Sequence, residues 1–180
     1  MSLVLREKID DGVLLLRLND PSTRNAISDT AMIEALLEAI GEAEADPNIR
    51  VIILTGEGPT FSSGGNLKKF GRGAGIQDSV PAQTRLNYKV GIQRLPLAFE
   101  KLEVPVIAAI NGPAIGAGLD LTLMCDIRIA SEAAKFAESF VKLGIVPGDG
   151  GAWLLPRIVG FAKASELALT GDTIDAAQAL

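Results

Sequence analysis

The chain has 180 residues, 48% hydrophobic and 22% charged, with a net charge of −5. That composition describes one folded domain with a core of ordinary size and excludes a disordered chain. The acidic balance and 4% aromatic content argue against nucleic acid, which needs a basic footprint and stacking platforms. The chain contains no histidine, so Ser-His-Asp and Cys-His triads and imidazole metal sites are excluded. Acid–base chemistry must therefore come from carboxylates, lysines, Tyr88 or the backbone, and the single Cys125, set among apolar residues, reads as a buried core thiol.

Leu3–Lys8 and Val13–Leu18 read as two strands joined by the turn dipeptide Asp11-Gly12, and Asn19-Asp20-Pro21-Ser22 ends the hairpin. Residues 1–10 lack the apolar run of a signal peptide, and the longest uncharged run, Val104–Leu119, is too short and too broken by proline and glycine to span a membrane. The setting read from this is cytoplasmic. Ser28 is placed to cap a helix running to about Asp46, with Ile33, Leu36, Leu37 and Ile40 on one stripe and Glu34, Glu38 and Glu42 on a solvated one. Val51–Leu54 has the wholly apolar, β-branched character of a parallel strand covered on both faces.

A loop over Gly56–Asn66 precedes a brief helix near Leu67–Phe70, and Gly71–Val80, with its glycines, reads as a mobile loop. Pro81 opens a helix that passes Tyr88 and is interrupted at Pro96. Val106–Ile110 is a second buried strand, followed by a helix from about Ala117 to Cys125 and a third strand over Ile127–Ala130. Helices near Gly151–Ile158 and Ala162–Thr170 follow, and Thr173–Leu180 begins a capped helix that stops with the chain, as in a piece of a longer protein. An initial hairpin and then alternating helices and strands make an α/β fold with right-handed crossovers.

Two stretches repeat one plan of buried strand, glycine-rich turn and helix start: Phe61-Ser62-Ser63-Gly64-Gly65-Asn66, and Asn111-Gly112-Pro113-Ala114-Ile115-Gly116-Ala117-Gly118. Neither holds a Walker A, a dinucleotide-binding G-x-G-x-x-G or a G-x-S-x-G elbow. Such turns suit either tight packing or a ligand site, and two facing each other could aim two amides at one oxygen. Asp120, two residues past Gly118 among leucines, is either a general acid or base or a plain helix N-terminal acid. Asp149, in Pro147-Gly148-Asp149-Gly150-Gly151, reads first as a turn or N-cap aspartate. Asp126 and Arg128 read as a structural pair or cap, and Trp153 as a core or pocket-wall residue.

Phe61–Lys68 resembles the F-x-A-G-x-D-L-K segment of the crotonase (enoyl-CoA hydratase/isomerase) family, and Ala109–Asp120 with Cys125–Arg128 resembles its second signature. Leu143–Gly148 with Leu155–Arg157 is similar to the third, and Arg24–Ser28 to the entry loop. Four segments in order span essentially the whole chain. The resemblance implies a single crotonase-like domain over residues 1–180, a spiral of ββα units lacking the family's C-terminal helices. It implies an acyl-CoA substrate, whose coenzyme A is part of the substrate rather than a cofactor, and no metal. The Gly65 and Ala117 amides would form an oxyanion hole for a thioester enolate. Carbonyls at Ser63 and Gly65, with Leu67, would face the adenine. Arg24 and Ala26 would lie along the CoA arm, Lys68 near its phosphates, and Asn66, Gly116, Pro147 and Gly148 around the substrate. Homotrimers or dimers of trimers are implied as well.

The sequence departs from the family at its two hydratase glutamates. The first position holds Asp120, a shorter acid, and the second holds Phe140, which transfers no proton. Asp149 or Glu138 could compensate. With one carboxylate the site suits double-bond isomerisation better than water addition, and a crotonase fold that binds acyl-CoA without turnover is the non-enzymatic alternative. A protease of the related Ser-His-Asp branch is excluded by the absence of histidine.

Overall fold

A computed structural model describes residues 2–69 and 76–180. Phe70 and Gly71–Gly75, parts of the expected brief helix and mobile loop, lie outside the described residues. Strands β1 (Val4–Asp10) and β2 (Val13–Leu18) pair as the expected antiparallel hairpin, with Gly12 at φ +74° in its turn. Helix α1 (Thr30–Ala45) leads to β3 (Val51–Gly56), and helices α2 (Pro81–Val90) and α3 (Arg94–Phe99) lead to β4 (Val106–Ile110). Short β5 (Ala114–Ile115) and α4 (Ala117–Leu123) precede β6 (Ile127–Ala130). The chain then forms β7 (Lys135–Ala137), α5 (Gly151–Val159), α6 (Phe161–Thr170), β8 (Thr173–Asp175) and a last short helix, α7 (Ala176–Ala179).

The main sheet runs β1-β2-β3-β4-β6, parallel from β2 onward, and β5-β7-β8 form a second, smaller sheet. Alternate residues of β2 and β3 (Leu14, Leu16, Leu18, Ile52, Leu54) enter the core, while their neighbours are only half-buried. The sheet is therefore fully covered on one face, not on both as the apolar run at 51–54 suggests. α1 lies on the covered face with Met32, Ile33, Leu36 and Ile40 buried, each contributing about 1.5–3 kcal/mol by leaving water. β6, at the sheet edge, is exposed along its whole length.

Several local expectations change for physical reasons. The Ser28 hydroxyl does not cap α1; it accepts the Asn66 amide at 2.9 Å and so serves the neighbouring loop. The glutamate stripe on α1 is exposed but partnered. Glu38 and Glu42 pair with Arg6 of β1, and Glu34 pairs with Arg94 of α3. The break between α2 and α3 falls at 91–93, because Pro96 sits in the first turn of α3, where a missing N–H costs nothing. Residues 173–175 are a strand, not a helix; it is Asp175, not Thr173, that caps the terminal helix, in a capping box with Gln178.

Trp153 is 63% exposed rather than buried, with the Arg157 guanidinium 3.2 Å above its ring. Asp126 and Arg128 do not pair with each other. The Asp126 carboxylate accepts the Val106 amide at 2.8 Å, and Arg128 donates to the Cys125 and Thr122 carbonyls at the end of α4. Cys125 is in the core as expected, and burial pushes its thiol up to about 12. Among the described residues no helix is long and apolar enough to cross a membrane.

Candidate active site

The two glycine turns are built against each other. Ser62 bridges to Ala114, its amide donating to the Pro113 carbonyl at 3.2 Å and its carbonyl accepting the Ile115 amide at 3.0 Å. A side-chain carbon on Gly64, which sits at φ +78°, would lie 2.9 Å from the Ala117 nitrogen and strike the Ile115 carbonyl. One on Gly118 would lie 2.9 Å from the Ser62 carbonyl carbon. Only glycine permits this approach of backbone to backbone, and it brings residues 65 and 117 onto one wall.

The entry loop ties the first turn down from the other side. Arg24 and Asn25 are the non-glycine residues at positive φ among those described, at +59° and +58°. Asn25 is completely buried and uses its whole amide: Nδ2 donates to the carbonyls of Glu57 and Thr60, and Oδ1 accepts the Asp20 amide. The carbonyl of Arg24 accepts from Ser63, that of Gly64 accepts from Ile27, and the Ser62 hydroxyl donates to the Asn25 carbonyl. Asn25 thus positions the turn, a role that its motif position alone does not reveal. Its one sequence signal is that asparagine tolerates the left-handed region.

A cavity of about 250 Å³ opens beside the turns. Ser63, Gly65, Leu67, Gly116 and Ala117 supply one part of its wall, Tyr88 and Ile92 another, and Phe140, Ile145 and Asp149 the rest of its reacting end. The Gly65 and Ala117 amides donate to no acceptor among the described residues. Ala117 is the first residue of α4, so its N–H has no intrahelical partner; its neighbour Gly116, at φ +53°, is held by the Ala137 carbonyl at 2.8 Å.

The remaining expected residues are distributed around this centre. Arg24 is exposed and Ala26 buried, and neither lines the cavity. Asn66 bonds to Ser28 and Asp29, and Lys68 lies in a 3-10 turn over Leu67–Lys69, both outside the lining. Gly148 packs against the Tyr88 ring and accepts Gln93 Nε2 at 2.5 Å, so with Pro147 it shapes the turn that carries Asp149.

The carboxylates divide differently from the sequence reading. Asp149 lines the cavity, whereas Asp120 is fully buried behind it and accepts the Gly151 amide at 3.1 Å. Glu138 is also fully buried and lies beside Asp120. Asp149 is not an N-cap: Gly150 holds that position on α5. Burial first, then the charges of Asp149 and Glu138, holds Asp120 well above the usual carboxylate range. Burial pushes Glu138 up to about 7 and raises Asp149, while Tyr88 is raised by burial and by the Asp149 charge. Among the described residues no group of histidine, cysteine and carboxylate side chains is arranged to hold a metal ion. The arrangement offers two unengaged N–H donors for a developing oxyanion and one carboxylate, raised by burial, on the same cavity wall for proton transfer.

Residues 8–180 match the family described as Enoyl-CoA hydratase/isomerase. A probable enoyl-CoA hydratase of Mycobacterium tuberculosis is 41% identical over 172 residues, covering 96% of this chain and 64% of its own length. The 1,2-epoxyphenylacetyl-CoA isomerase of Escherichia coli K12 is 40% identical over 175 residues, covering 95% of this chain and 64% of that protein. The crystal structure of an enoyl-CoA hydratase from Bacillus anthracis superposes with a TM-score of 0.88 at 35% identity, over 98% of this chain and 66% of that one. The chain thus spans about 64% of the length of these curated relatives.

Proposed function

The chain belongs to the enoyl-CoA hydratase/isomerase family, and from that premise we propose that it acts on acyl-CoA thioesters through an enolate, with Asp149 as the proton-transfer group. One observation carries the reading: Gly65 and Ala117, whose N–H groups are unengaged among the described residues, line the same cavity as a single carboxylate, Asp149. The Asp149 carboxylate takes a proton from the α-carbon. The C–H bond breaks, an O–H bond forms, and the electron pair moves onto the thioester oxygen. The two amides meet that oxygen as its charge develops, each worth about 3–4 kcal/mol of barrier. Return of the same proton to the γ-carbon completes a double-bond shift with no net change in atoms or charge.

Isomerisation is favoured over hydration by Phe140, which occupies the cavity wall where a second acid would hold water. Coenzyme A enters as part of the substrate and no separate cofactor is invoked. Assembly as homotrimers or dimers of trimers and a cytoplasmic setting belong to the same proposal, light scattering being the check on assembly.

The test is turnover of 3-enoyl-CoA and crotonyl-CoA with products identified by mass spectrometry. Asp149→Asn lowers isomerisation about 10²–10⁴-fold while acyl-CoA binding persists. Undiminished turnover in that variant removes Asp149 from the mechanism, and binding without solvent exchange at the α- or γ-carbon of the wild-type complex makes the protein a passive acyl-CoA binder.

A further inference from the structure

Behind the cavity-facing carboxylate lie two acids that the proposed proton shuttle does not use. Asp120 projects from α4 and Glu138 from the residue between β7 and the 3-10 helix Ser139–Leu143, and both are fully buried. Asp120 Oδ2 has the Gly151 amide, but among the described residues Asp120 Oδ1, both oxygens of Glu138 and Asp149 Oδ1 meet no N–H or O–H donor. The two carboxyls converge on the α-carbon of Gly151. A side-chain carbon there would lie 2.5 Å from Glu138 Oε1 and would strike Asp120 Oδ1 as well. Two carboxyl groups converging without a donor or cation cannot both be ionised, whereas one proton between them removes the repulsion and gives the orphaned oxygens a partner.

We propose that Glu138 is a positioning residue: it shares one proton with Asp120 behind Asp149, and the direction in which Asp120 offers that proton sets the protonation of the carboxylate that faces the cavity. Its use in catalysis rests on the acyl-CoA reading; the proton sharing itself does not. The titratable groups that act on Glu138 are Asp120 from α4 and Asp149 from the turn before α5; Tyr88 from α2 faces Asp149, and Lys142 lines the cavity from the 3-10 helix. Burial raises all three carboxyls, and a hydrogen bond from Asp120 lowers Glu138 and Asp149 alike, so the two compete for the one Asp120 proton. Only O–H bonds are made and broken in this exchange. Glutamine at 138 fills the same space and supplies its own N–H in place of an oxygen that needs the Asp120 proton, so that proton turns to Asp149, Asp149 ionises at lower pH and the acid limb of the rate profile follows it down.

The experiment is a carboxyl-carbon NMR titration of the whole chain labelled at aspartate and glutamate, with Asp149→Asn and Asp120→Asn for assignment. In Glu138→Gln the Asp149 midpoint falls by about one pH unit, tenfold in proton affinity, and the acid limb of kcat moves with it while KM holds. An Asp149 midpoint unmoved in a folded Glu138→Gln protein overturns the proposal. If that variant does not fold, the wild-type curves decide. Coupled, two-step titration of Glu138 and Asp120 supports proton sharing, and a single ordinary glutamate step at 138 sinks it. The titration needs no substrate, so absence of acyl-CoA binding or turnover would defeat the functional reading without touching this result.

Discussion

Replacing Gly64 by alanine tests the contact on which the site depends. At φ +78° an L-residue loses about 1–2 kcal/mol against glycine. The added carbon also meets the Ala117 nitrogen at 2.9 Å and the Ile115 carbonyl, backbone atoms that cannot swing aside, and overpacking of this kind costs about 1–3 kcal/mol more. The loss should be about 2–5 kcal/mol, a large part of the roughly 5–15 kcal/mol typical of a domain. Gly58 supplies the control, since it has the same φ of +78° with nothing within 4 Å, so Gly58→Ala carries the conformational cost alone. Urea unfolding of both variants measures the difference, and acyl-CoA turnover reports whether parting the two turns also separates the amides. If Gly64→Ala is no more destabilised than Gly58→Ala, the turns are not in backbone contact and the shared oxyanion site has no foundation.

Stability in the absence of ligand should depend on pH through the buried acids. Glu138, raised from 4.5 to about 7, contributes stability that is fully present below about pH 4.5 and lost as pH rises through 7, up to about 3 kcal/mol. Urea midpoints across that range check it, and Glu138→Gln should flatten the slope. Asp46, drawn down to about 2, first by its hydrogen bond from Lys8, acts in the opposite sense, its contribution being lost as pH falls from about 4 through 2. Arg128→Ala uncaps the carboxyl end of α4 and should cost about 1–2 kcal/mol by the same assay. Trp153→Ala, which removes an exposed ring, should cost less than about 1 kcal/mol in spite of the residue's size.

What was legible from the residues follows from local physics. The period of Leu14, Leu16 and Leu18, the stripe Ile33-Leu36-Ile40 and the turn Asp11-Gly12 act over a few residues, so they specify hairpin, helix and strand order before any long-range contact forms. The two glycine turns were likewise visible as places where backbone must pass close to something, and the structure supplies that something: each other. The partners of Glu34, Glu38 and Glu42 were not visible, because Arg94 and Arg6 reach α1 from distant segments.

The division of labour among the acids needed the tertiary structure most. Asp120 is 29 residues from Asp149 and 18 from Glu138 along the chain, and proximity to the second glycine turn in sequence made Asp120 the natural proton carrier. Folding turns its side chain away from the cavity and onto the Gly151 amide, and places Asp149 on the wall instead. The linear chain determined which groups were available: carboxylates, backbone amides and no imidazole. Which carboxylate meets the cavity and which are buried behind it was decided only when α4, β7 and the start of α5 packed together, because the cost of desolvating a charge depends on neighbours that adjacent residues do not specify.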